Sequence, residues 1–244
     1  GTNLTGATSV TIGGTSATIV SNTPTSINVT VGSGTTGTVQ VTTPNGIATS
    51  AGTYTIVAAP VITTQPIATS ICTNATGSFT VTATGATTYQ WRRNGTPLAN
   101  GGIYSGVTTA TLTITNPTLL DAGNFDVIVG NGSCTTTSSV AALTVNTVPS
   151  IAATPTPASG ATGICYAGSG VLANITWGAV AGATSYDVYF GPGATPPVTL
   201  TANVATNSYA VGALAASTQY SWRIVAKNAC GAGTTSANFS FTTA

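Results

Sequence analysis

Apolar residues in this chain return at every second position and nowhere hold the three-and-four spacing of an amphipathic helix. Val10 and Ile12, Ile27, Val29 and Val31, and Val39 and Val41 each share a face with Thr, Asn or Gln between them. The same rhythm marks Phe79 and Val81, Leu112 and Ile114, Phe125 and Val127, and Leu143 and Val145. Later it marks Val171, Ala173, Ile175 and Trp177, then Tyr220, Trp222, Ile224 and Ala226. Successive side chains of a strand point to opposite faces, so this pattern specifies sheets with one buried face. Threonine makes up roughly a fifth of the chain and Gly and Pro recur between the runs, which favours short strands joined by turns. The fold class read from this is all-β, as tandem β-sandwiches arranged end to end.

Charge removes most chemistry. The 244 residues hold 4 Lys+Arg, 3 Asp, no Glu and no His, for a formal net charge of +1. Without His the commonest general base and metal ligand is missing, and three carboxylates leave little for paired-acid catalysis or a calcium cage. We therefore expect no enzyme, no cofactor and no metal. So small a positive charge cannot track a phosphate backbone, which excludes nucleic acid as an expected partner. Disorder needs low hydrophobicity with high net charge, whereas this chain is 42% apolar with mean hydropathy +0.36. No apolar run reaches the ~18 residues of a membrane span. Gly1 carries no leader signature, and the reading favours a cut within a longer chain.

Two Pro-containing joints, Ala58-Ala59-Pro60 and Asn146-Thr147-Val148-Pro149, divide the chain into residues 1–58, 59–146 and 147–244. Within the second block lie Phe79-Thr-Val81-Thr-Ala-Thr-Gly85, Tyr89-Gln-Trp91-Arg-Arg-Asn-Gly95, Leu112-Thr-Ile114 and Asp121-Ala-Gly-Asn-Phe125-Asp-Val127. This block resembles an immunoglobulin-like domain of bacterial type. The resemblance implies that Trp91 is buried on strand C and that Val81 and Val127 stand where such domains carry a core disulfide. Phe125 replaces the corner tyrosine. In the third block, Ile175-Thr-Trp177, Tyr186-Asp-Val188-Tyr-Phe190, Leu214 to Ile224 and Phe239-Ser-Phe241 resemble a fibronectin type III domain. Trp177 and Trp222 would then be core residues and Tyr220 would form the tyrosine corner. Val10-Thr-Ile12-Gly-Gly14 and Val39-Gln-Val41-Thr-Thr-Pro-Asn-Gly46 make residues 1–58 similar to the later part of an IPT/TIG domain. That sandwich is incomplete: its first strands are expected from upstream residues or from a partner strand in trans. The three-domain order is similar to segments of large secreted surface proteins of Bacteroidota type. It implies an extracellular, cell-surface location and adhesion, with neighbouring domains of the same or identical chains as partners and a surface glycan or protein as receptor.

Cys72, Cys134, Cys165 and Cys230 fall two per complete domain, and an even count in a secreted chain reads as disulfides. The simplest of three pairings is Cys72–Cys134 with Cys165–Cys230, and related modules carrying cysteines at both places support it. Yet the turns before strand B and after strand F sit at opposite ends of one sandwich, while bridged Cα atoms must lie within ~7 Å. Cys72–Cys230, across the domain joint, is the competing pairing. Tyr104, Tyr166 and Tyr189 are the candidate exposed aromatics for ligand contact. Arg92 and Arg93 run into an Asn94-Gly95 turn, solvated or paired with Asp126, and Asp121 closes the turn before strand F. Lys227 has only Asp187 nearby to act as the acid of an isopeptide bond. Three functions follow: a structural or adhesive spacer, a repeat of a self-assembling extracellular filament, or an accessory carbohydrate-binding region of a secreted enzyme.

Overall fold

The computed structural model describes residues 1–165 and 173–244, and its regular elements are strands apart from one 3-10 turn at Leu119–Asp121. The first five strands are β1 (Ser9–Ile12), β2 (Thr15–Asn22), β3 (Ile27–Thr30), β4 (Gly37–Thr43) and β5 (Gly46–Tyr54). They form a single antiparallel sheet in the order β3-β2-β1-β4-β5. Gly13 and Gly14 close the β1–β2 hairpin with φ of 56° and 85°, the left-handed backbone that a two-residue hairpin turn demands. Gly13 is required for a second reason: a Cβ there would stand 2.5 Å from the Thr35 carbonyl oxygen. On the central strand, Val10 and Ile12 are buried, while Val29, Val39 and Val41 are half-buried. Among the described residues no second sheet covers this face, and a groove of about 310 Å³ runs over Leu4, Val10, Ile27, Val29, Val39 and Val41. Val29 and Val41 thus line an uncovered face, while Val10 and Ile12 on the central strand keep little exposure of their own.

Residues 59–146 fold into two layers. Their strands are β6 (Val61–Thr64), β7 (Thr69–Cys72), β8 (Thr76–Thr80), β9 (Thr82–Thr84), β10 (Thr88–Arg93) and β11 (Thr96–Pro97). They continue as β12 (Tyr104–Ser105), β13 (Thr111–Thr115), β14 (Gly123–Gly130), β15 (Thr135–Thr137) and β16 (Ala141–Asn146). One layer runs β11-β10-β14-β16-β7, with β15 on β14; the other holds β12-β13-β8 and the pair β6-β9. Trp91 is fully buried with Phe79, Val81, Leu112, Phe125 and Val127, and Val127 stands opposite it in register. Its indole N–H donates to the Thr109 carbonyl at 2.9 Å, so the one polar atom it takes into the core is satisfied.

The last segment repeats the two-layer plan with β17 (Ala161–Ile164), β18 (Asn174–Thr176), β19 (Ser185–Pro192) and β20 (Ala202–Val204). It closes with β21 (Ser208–Ala210), β22 (Gln219–Asn228), β23 (Gly231–Ala232) and β24 (Phe239–Thr243). The order β17-β24-β22-β19-β20, with β23 on β22, faces the pair β18-β21. Trp177 and Trp222 share the core, their ring centroids 6.0 Å apart, and the Tyr220 hydroxyl accepts the Ala215 N–H at 2.9 Å. Val171 of the alternating run lies outside the described residues, and Ala173 is exposed, because the strand begins at Asn174. Among the described residues the chain is all-β, with two of its segments folded as two-layer β-sandwiches.

Candidate functional site at the domain joints

The residues richest in specific contacts lie where segments meet. In both two-layer segments the first strand of the main sheet runs parallel to the last: β7 on β16 and β17 on β24. This places a cysteine at the C-terminal pole of each. Cys72 is level with Asn146, the last residue of β16; Cys165 follows Ile164, whose carbonyl accepts the Ala244 N–H at 3.1 Å. At the N-terminal poles, the turns after β14 and β22 hold Cys134 and Cys230.

These two turns are built alike. The Asn131 side chain accepts the Cys134 N–H at 2.9 Å and donates to the Ala58 carbonyl of the preceding joint at 2.7 Å. Asn228 accepts the Cys230 N–H at 2.8 Å and donates to the Thr147 carbonyl at 2.8 Å. Ala58 and Thr147 each stand two residues before the joint proline, Pro60 or Pro149. An amide that carries both donor and acceptor thus ties the turn to the incoming chain. Behind it, buried Ser138 and Ser236 repeat as well: their hydroxyls accept the Val127 and Ile224 N–H groups, each at 3.0 Å.

Chemistry separates the joints. Cys72 and Cys230 form a disulfide, with Cα atoms 5.4 Å apart, while Cys134 and Cys165 are free thiols. The favoured within-domain pairing is therefore corrected. The two cysteines of one sandwich occupy opposite poles, and only neighbouring domains bring two of them together. Cys134 instead points its sulfur at the Val57 carbonyl, 3.5 Å away, because residues 1–58 contain no cysteine. The clasped joint carries an open groove of about 350 Å³ between Leu119, Val145 and Thr147 on one side and Ala181, Thr184 and Asn228 on the other.

The few charges are spent on pairs. Arg92 meets Asp126 through two bonds of 2.8 and 2.6 Å, which raises the Arg92 pKa chiefly through that hydrogen bond. Arg93 approaches Asp121 at 3.6 Å and donates to the carbonyls of Leu120 and Ala122. Burial alone would push the Asp121 carboxyl up; the Thr118 N–H and hydroxyl, at 2.8 and 2.7 Å, and Arg93 outweigh it and hold it below the usual carboxylate range. Lys227 lies 3.1 Å from Asp187, which also accepts Asn203 at 2.6 Å. This trio has the residue types of an isopeptide site. It spans neighbouring strands on an outer face of the sheet, with the Lys227 side chain 39% exposed, where a hydrated ammonium is a poor nucleophile.

Of the aromatic candidates, Tyr104 is half-buried against Phe125, and Tyr189 lies under Arg223, whose guanidinium carbon is 4.8 Å from the ring centroid. Tyr166 lies outside the described residues. Sequence reasoning passed over Asn131, Asn228, Ser138 and Ser236. The signal was there to find: an Asn two or three residues before each second cysteine, with a Ser further on.

A family model for the immunoglobulin domain matches residues 59–131, and no curated protein matches the sequence. Among solved structures, the chain is similar to domains A168–A170 of titin, with 17% identity, 94% of this chain and 85% of that one covered, and a TM-score of 0.51. The Ig1-2 module of the Drosophila receptor protein tyrosine phosphatase DLAR shares 16% identity, with 77% and 100% covered and a TM-score of 0.33. The twitchin kinase region of C. elegans shares 21% over 36% of this chain and 16% of that one, with a TM-score of 0.32. At these identities the titin likeness speaks for fold alone.

Proposed function

We propose that this chain is a structural and adhesive segment of a secreted, multidomain bacterial surface protein, and that its domains act as a stiff spacer rather than as an enzyme. The supporting observation is the clasped joint. A covalent bond, an Asn-to-linker hydrogen bond and a tight turn all restrain the angle between residues 59–146 and 147–244. Restraining that angle serves a spacer, and a disulfide suits an oxidising, extracellular setting. In this reading residues 1–58 are an IPT/TIG-like half-sandwich, 59–146 an immunoglobulin-like domain and 147–244 a fibronectin type III-like domain. The receptor is a surface glycan or protein. An origin in a Bacteroidota-type organism rests on the Thr-rich, charge-poor sequence and the domain order.

A second reading, a repeat of a self-assembling extracellular filament, is favoured by the apolar sheet face over Val29 and Val41, which a strand or sheet of an identical chain would cover. Negative-stain images of native material decide between them. Isolated or tapering rods are expected, and filaments of repeating subunits would replace the first reading with the second. Specific binding on a glycan array without either form would instead favour the accessory carbohydrate-binding role.

A further inference from the structure

One clasp in this chain is closed and its two component halves recur, open, elsewhere. The closed clasp joins a cysteine at the end of a parallel edge strand, Cys72 as the last residue of β7, to a cysteine on an Asn-anchored turn, Cys230 after β22. The same edge-strand position at the C-terminal pole is held by Cys165, an exposed free thiol. The same Asn-anchored turn at the N-terminal pole is held by Cys134, also free. Neither cysteine is singled out by exposure alone. The bonded pair shows what each position does when a domain with the complementary half is stacked on it.

We infer that the C-terminal pole around Cys165 is a docking surface for a further β-sandwich domain that presents a cysteine on an Asn-anchored turn. Its Asn would grip the carbonyl of the residue after Ala244, as Asn228 grips Thr147 just past Asn146. Its cysteine would bond Cys165 as Cys230 bonds Cys72. The inference does not depend on what the protein adheres to, since it concerns how such domains are joined. In the covalent step each thiol releases a proton, and together the two give two electrons to a small-molecule disulfide such as oxidised glutathione. One protein S–S bond forms, the small-molecule S–S bond breaks, and two small thiols leave. The appeal of such a joint is mechanical: load across it passes through sulfur as well as through the linker.

The test uses the full chain with a second copy of residues 147–244 joined directly after Ala244, the copy carrying Cys165→Ser. The protein is equilibrated in glutathione buffer, alkylated, digested and analysed by mass spectrometry. Two crosslinks are expected, Cys72 to Cys230 and the original Cys165 to the appended copy's Cys230, with Cys134 the alkylated thiol. Their glutathione midpoints should agree within about tenfold, because the two joints are the same. Alkylated Cys165 beside an intact Cys72–Cys230 bridge would overturn the inference. So would a Cys165 bridge that opens at a midpoint weaker by more than a hundredfold, the mark of a chance crosslink. Replacing the appended copy's Asn228 by Ala should weaken the new bridge but leave the original one unchanged; equal midpoints with and without that Asn would remove the turn from the argument.

Discussion

The joint at Ala58–Pro60 and the joint at Thr147–Pro149 solve one problem with the same backbone chemistry and differ in one bond. Each has an Asn that binds the turn cysteine and the linker carbonyl, and each has a buried Ser that braces the strand behind it. At the second joint the turn cysteine finds Cys72; at the first it finds only the Val57 carbonyl. The hydrogen-bonded turn therefore sets the approach of two domains without help from sulfur. The disulfide then fixes an approach already made, so its loss should loosen the joint while each domain keeps its fold at reduced stability.

The largest difference should come from opening that bond. The bridge spans a sequence separation of 158 residues, and closing a loop of that size is worth about 5 kcal/mol in the chain-entropy model. Cys72→Ser should lower the melting temperature of the C-terminal part in calorimetry and widen the distribution of angles at the second joint in small-angle scattering. Cys134→Ser should change neither. An equal loss from Cys134→Ser would break the comparison, because it would mean the free thiol contributes to the first joint.

Much of this molecule is legible from residue order, and what is not has a physical cause. Alternation at Phe79–Val81 and Phe125–Val127 reports burial directly, because strand period and sheet face are the same fact. Trp91, Trp177, Tyr220 and Trp222 all enter cores. Disulfide pairing is not local in this sense. Whether Cys72 meets Cys134 or Cys230 depends on which poles of two sandwiches touch, and no residue near Cys72 encodes that. Asn131 and Asn228 carry only a weak signal, their spacing from the second cysteines, because an Asn in a turn has many uses and its linker partners, Ala58 and Thr147, bond through backbone carbonyls that carry no sequence signature.

A second test concerns steric fit. Gly233 lies against the second joint so closely that a Cβ would stand 2.2 Å from the Pro149 carbonyl oxygen. At the first joint Thr136 donates its hydroxyl to the Pro60 carbonyl at 2.6 Å. Both substitutions should therefore destabilise, one by crowding and the other by loss of a hydrogen bond. Adding a methyl with Gly233→Ala displaces the linker and should cost roughly 1–3 kcal/mol. Removing the hydroxyl with Thr136→Ala should cost about 1 kcal/mol through one lost hydrogen bond. Chemical denaturation measures both; a silent Gly233→Ala would show that the second joint has slack.

Smaller again is the share of the anchoring amides. Asn131→Ala and Asn228→Ala each remove one bond to the linker, together with two bonds to the turn at Asn131 and one at Asn228, about 1 kcal/mol per bond. Hydrogen exchange at the Cys134 and Cys230 amides should register the change. The effect on joint angle should be visible only at the first joint, because the disulfide holds the second when its Asn is gone. Equal loosening at both would mean that the disulfide adds little to orientation.

Acid should produce the smallest difference, and only on one side. Asp121 caps the turn that carries Leu119 into the groove of the second joint. Its folded pKa is lowered: burial opposes ionisation, but the Thr118 bonds and the Arg93 charge outweigh burial. A carboxylate with a depressed folded pKa contributes stability that is fully present above its unfolded value, about 4, and is lost as pH falls through the folded one. Lowering pH from 7 should leave the turn intact until about 4, then release Leu119 from the rim of the groove. Side-chain NMR of Leu119 against pH would follow this. The first joint has no counterpart, since residues 1–91 contain no Asp or Glu. Asp121→Asn should remove the acid response at the second joint and leave the Ala58–Pro60 joint as it was; a response that survives the substitution would uncouple the turn from the groove.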